Sequence, residues 1–67
     1  MSNDFDFEIQ NEVSIVLLHV LTETAQAWVD EHIPSEALFF GRAIAIEPRY
    51  IAAILEGIQN DGLRVTT

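Results

Sequence analysis

The chain has 67 residues, no cysteine and no lysine, and sets eleven carboxylates against three arginines, for a formal net charge of -8 beside an apolar content of 49%. The acidity argues against direct binding to nucleic acid or to an anionic membrane. The apolar content argues against a solvating disordered segment, and the missing cysteines exclude disulfides and thiolate zinc sites.

This length accommodates one domain, expected over residues 5–66, with a flexible N-terminus at residues 1–4. A chain near this size buries only about 60% of the surface its unfolded form exposes, so its stability is modest. Compactness scaling gives a folded radius of gyration of about 11 Å. Residues 1–6 are acidic and lack the positive n-region of a signal peptide, so a cytoplasmic location is expected. The longest apolar run, residues 13–21, is interrupted by Ser14 and His19 and is far below the roughly 20 residues that span a bilayer.

In chain order, Phe5, Phe7 and Ile9 alternate with Asp6, Glu8 and Gln10, the period of a half-buried strand. After Asn11 and Glu12, residues 13–20 are β-branched and show little alternation, which suits a central strand covered on both sides. The two segments form a hairpin or one long bent strand. Thr22 can cap a helix whose Ala25, Trp28, Val29, His32 and Ile33 share one face, and Pro34 ends it. Gln26, Asp30 and Glu31 point away from that face. An apolar stretch at residues 37–40 leads to Gly41, and residues 42–47 read as a strand with Ile44 and Ile46 on one side.

Pro48 opens a second helix, where its missing NH costs nothing, and Ile51, Ile54, Leu55 and Ile58 face inward. Asn60-Asp61-Gly62 stops it, with Gly62 free to take positive φ. Residues 63–66 make a short last strand. The expected fold is α+β, a single-layer sheet of three to four strands with two helices packed on one face, in the order β(β)αβαβ. There is no internal repeat and no low-complexity segment.

Catalytic and metal chemistry are not expected. His19 and His32 lie thirteen residues apart with no third ligand at metal spacing. Ser2, Ser14 and Ser35 lack the glycines of a nucleophile elbow. The three glycines form no phosphate cradle, so no cofactor is expected either. Trp28 at helical spacing belongs to the core. Arg42, Arg49 and Arg64 are read as neutralising nearby carboxylates. Tyr50 either packs beneath the helix start or projects toward a partner. Of the adjacent Phe39 and Phe40, one is expected inside and the other exposed as an interface anchor.

The carboxylates carry the functional expectation. Ordinary surfaces intersperse both signs of charge, whereas here Asp6, Glu8 and Glu12, then Glu23, Asp30, Glu31 and Glu36, face almost no compensating cation. Duplex DNA presents one negative charge per about 1.7 Å of axis, and its ligands array basic residues against it. A rigid acidic surface can occupy the same site, with fast, salt-sensitive association.

Leu21-Thr22, Ala25, Trp28-Val29-Asp30-Glu31-His32, Phe40-Gly41, Ile46-Glu47-Pro48-Arg49-Tyr50-Ile51 and Gly57 with Asp61-Gly62-Leu63 together resemble a group of small bacterial and mobile-element proteins of βαβαβ type. That likeness covers residues 14–65 and implies no catalytic residues. In size, acidity and lack of cysteine the chain also resembles anti-CRISPR proteins, several of which are understood as DNA mimics. A type I system, subtype I-C in particular, is what that resemblance implies. Arg42, Arg64 and the apolar content depart from a uniformly acidic mimic. The expected function is therefore a non-enzymatic inhibitor in a bacterial host cell, encoded by a phage or mobile element. It binds a basic nucleic-acid-binding protein such as a subunit of the CRISPR Cascade complex. The alternative is a protein-interaction or accessory domain, homodimeric through Phe39, Phe40 or an exposed strand edge, whose acidity serves solubility.

Overall fold

A computed structural model describes residues 4–34 and 36–67. The chain is α+β: β1 (Phe7–Glu12), β2 (Ile15–Val20), α1 (Glu23–His32), β3 (Phe39–Phe40), β4 (Ala43–Ile46), α2 (Pro48–Asn60) and β5 (Val65–Thr66). The strands form one mixed sheet in the order β3-β4-β2-β1-β5. This corrects the expected three to four strands to five. β1 and β5 are parallel, and the other neighbours are antiparallel.

The first two strands are a hairpin, closed by the pair Glu12 and Ile15. Asn11 and Glu12 belong to β1 rather than to a connection. Val13 and Ser14 form the turn, and Val13 is wholly exposed (106%), not part of a buried run. β2 does sit at the centre of the sheet, but the helices cover only one of its faces. Val16, Leu18 and Val20 are buried there, while Ile15, Leu17 and His19 on the other face are half-buried.

Register sorts the sheet into two faces, because directly paired residues point the same way. Phe7 pairs with Val20, Ile9 with Leu18, Leu18 with Ile44 and Val16 with Ile46. These residues meet Ala25, Trp28 and Val29 of α1 and Ile58 of α2 in one core, with Ile51, Ile54 and Leu55 packed around it. Both helices therefore lie on the same side. Phe7, Leu18, Val29, Ile44 and Ile58 are fully buried, and each contributes about 1.5–3 kcal/mol of apolar burial.

The helix ends follow the sequence closely. Thr22 Oγ1 accepts from Ala25 N at 3.0 Å and donates to Asp6 Oδ1 at 2.7 Å, so it caps α1 and ties it to the start of β1. Ile33, extended ahead of Pro34, ends the helix. After α2, Leu63 N bonds Ile58 O and Gly62 N bonds Gln59 O, with Gly62 at φ +84°. This is the Schellman arrangement, and Leu63 completes it by packing against the core that contains Ile58.

Candidate protein-binding surface

The side of the sheet opposite the helices is uncovered, and its composition changes across the strands. On β1 it carries Glu8, Gln10 and Glu12, paired with His19, Leu17 and Ile15 of β2. Leu17 and His19 pair in turn with Ala45 and Ala43 of β4, and Ala43 pairs with Phe40 of β3. Leu38, whose carbonyl accepts from Ala45 N, alternates with Phe39 and so continues the side of Phe40. Leu38 and Phe40 are 58% and 57% exposed. The face is thus an apolar strip over β2, β4 and β3, bordered along β1 by carboxylates.

Side-chain bonds hold the polar border in place. Gln10 Nε2 donates to Glu12 Oε2 at 2.9 Å, which turns Gln10 Oε1 toward His19 Nε2, also at 2.9 Å. Since the amide oxygen can only accept, this arrangement has the proton on His19 Nε2. Glu8 and Glu12 are both exposed.

The remaining acidic residues lie elsewhere. Glu23, Asp30 and Glu31 are exposed on α1, on the helical side of the molecule, and Gln26 Nε2 donates to Asp30 at 3.0 Å. Glu36 is exposed in the connection between α1 and β3. Asp6 is the exception. Its Oδ1 accepts from Thr22 and its Oδ2 from Arg64 N at 3.0 Å, so the carboxylate is occupied in joining α1, β1 and the approach to β5. The seven acidic residues singled out from the sequence consequently do not form one patch. Glu8 and Glu12 face one way, and the α1 carboxylates face the other.

No family model, curated protein or solved structure matches the chain.

Phe39 and Phe40 are both exposed, at 39% and 57%, which corrects the expectation that one is buried. Phe39 pairs with Ile44 on the core side, but β3 is an edge strand and covers it from one flank only. Among the described residues, Arg49 is the one arginine in an ion pair, with Glu47 at 3.3 Å. Its guanidinium also lies 4.8 Å from the ring centre of exposed Tyr50, and that of Arg64 lies 5.2 Å from that of Phe5. Ser14 lies in the hairpin turn, Ser2 and Ser35 fall outside the described residues, and so do residues 1–3 of the expected flexible N-terminus.

A polar cluster lies on the helical side. Trp28 Nε1 donates to Asp61 Oδ2 at 2.7 Å, and His32 stacks on the indole at 4.3 Å with its Nε2 3.6 Å from the same oxygen. His32 was expected on the inward face but is 44% exposed. The cluster fastens the C-terminal end of α1 to that of α2. An apolar cleft of about 300 Å³ lies beside it, lined by Trp28, Ile33, Pro34, Ile46, Tyr50 and Ile54. Among the described residues no three His, Asp or Glu side chains come together to hold a metal, and no helix is long and apolar enough to cross a membrane.

The sequence reading did not single out Ile15, Leu17, Leu38 or the Gln10–His19 link. A signal for the first two was present, since residues 15–20 lack the alternation of a strand with one wet face.

Proposed function

We propose that the protein is a non-enzymatic inhibitor that binds a basic nucleic-acid-binding protein and thereby excludes its nucleic acid. One observation carries this reading: of eleven carboxylates all but Asp6 are exposed, against three arginines. A surface so charged concentrates around itself the cationic proteins that otherwise collect on DNA. The narrower partner, a subunit of a type I CRISPR Cascade complex in a bacterial cell, is supported by the likeness to small acidic anti-CRISPR proteins in size, charge and lack of cysteine.

The test is competition. Purified type I complex is titrated with labelled target duplex in the presence of the protein. Displacement of duplex is expected at low salt, weakening by about tenfold or more between about 50 and 200 mM NaCl. Retention of duplex at saturating, folded protein removes this partner, and the same outcome with other DNA-binding proteins removes mimicry as a mechanism. Two double variants, Glu8→Gln with Glu12→Gln and Asp30→Lys with Glu31→Lys, then report which acidic side is engaged.

The exposure of Leu38, Phe39 and Phe40 favours a second reading, a homodimeric accessory domain. Light scattering separates the two: a salt-resistant dimer that Phe40→Ala converts to monomer supports the second.

A further inference from the structure

We infer that the uncovered face of the sheet is the docking surface, and that its occupant is a basic amphipathic helix of the partner protein. The inference rests on the reading of the protein as the ligand of a basic partner and specifies which surface meets which element.

Three features select a helix. The apolar strip over β2, β4 and β3 is two strand spacings wide, about 10 Å, which matches the roughly 10–12 Å diameter of a helix with its side chains. The six residues of β2, the longest strand of the strip, run about 20 Å, the length of about 14 helical residues. The edge strands β3 and β5 are only two residues long, and the outer edge of β1 beyond β5 is free over just four residues, 9–12, so an added strand would find only short edges to pair with.

Charge selects a basic helix and fixes how it lies. Glu8 and Glu12 border one long side of the strip, with Glu12 held by Gln10, which is itself bonded to His19. Arg42 is exposed in the turn between β3 and β4, at one end of the strip, where its carbonyl accepts from Val20 N of β2. A helix with apolar residues in the strip and Lys or Arg along one flank therefore lies with that flank over Glu8 and Glu12 of β1. A second copy of the chain fits less well. It carries the same net charge of -8. With its short edge strands the open face stays below about 19 by 20 Å, or roughly 400 Å², less than half of the roughly 800 Å² per partner of a standard stable interface.

The probe is a synthetic peptide of about 14 residues with leucines on one helical face and arginines beside them, compared with a scrambled peptide of identical composition. Backbone amide shifts of the labelled protein are followed by NMR. Micromolar binding is expected, with shifts at Glu8, Glu12, Leu17, Phe40 and Ala45. The scrambled peptide should bind about tenfold more weakly, as should the patterned one to the Leu38→Ala, Phe40→Ala variant at unchanged Tm. Equal binding of both peptides, shifts confined to α1 and α2, or a dimer that buries the face overturns the inference. Failure of the broader reading looks different, since the parent protein then leaves duplex bound to its owner. If the parent displaces duplex and the Leu38→Ala, Phe40→Ala variant does so equally well, the inhibitor reading stands and the docking surface lies elsewhere.

Discussion

Trp28 is the side chain on which the helical layer turns. Its ring meets Phe7 edge-on at 6.0 Å, carries His32 on one face, and sends its indole NH to Asp61. Gly57 leaves room for it, since a Cβ there would sit 3.4 Å from Trp28 Cζ2. That distance is contact rather than collision, while alanine in a helix is favoured over glycine by up to about 1 kcal/mol. Gly57→Ala should therefore stabilise the protein and raise Tm by about 4–8 °C per kcal/mol gained. Gly57→Leu should lower it by pushing the indole off Asp61. Thermal melts followed by circular dichroism decide this, and a loss on Gly57→Ala means that the indole has no slack.

At the scale of elements, the helices were legible and two of the strand features were not. Thr22, Pro34, Pro48 and Gly62 act within a few residues of themselves, so they mark α1 and α2 without knowledge of the fold. Val13-Ser14 carries no glycine, asparagine or aspartate, and neither residue takes positive φ, so the hairpin turn is unlike the primed turns usual at this loop length. Nothing local separated it from a strand. Replacing Val13 and Ser14 by Asn and Gly should then add about 0.5–2 kcal/mol, read as a higher denaturation midpoint at unchanged slope; an unchanged midpoint means the present turn is already matched to the strand twist. β3 was hidden because two residues become a strand only by pairing with β4. The candidate surface was half legible for the same reason. Composition shows its carboxylates, but the acidic border meets an apolar strip only because β1 lies beside β2 and β4 beyond it, an order no local pattern encodes.

For the whole molecule, charge and size set the terms. The radius of gyration is 11.0 Å, as scaling gives, and the longest extent is 32 Å. At about 10 mM salt the screening length is about 30 Å, so nearly every carboxylate feels every other; at about 150 mM it falls to about 8 Å. With a net charge of -8, Tm should rise as NaCl is added over that range, and a fall would mean that specific ion pairs outweigh the general repulsion. A separate consequence follows from the Asp6 clasp, which reaches Arg64 across 58 positions of chain, whereas β1 and β2 meet across a two-residue turn. Closing so long a loop costs more entropy than closing the hairpin, so the clasp is expected to form after the hairpin. Interactions absent from the transition state leave the rate of folding alone and set the rate of unfolding. Asp6→Ala is therefore expected to shorten the lifetime of the folded protein between openings while leaving its rate of formation nearly unchanged, and a slowed refolding rate would place the clasp in the transition state.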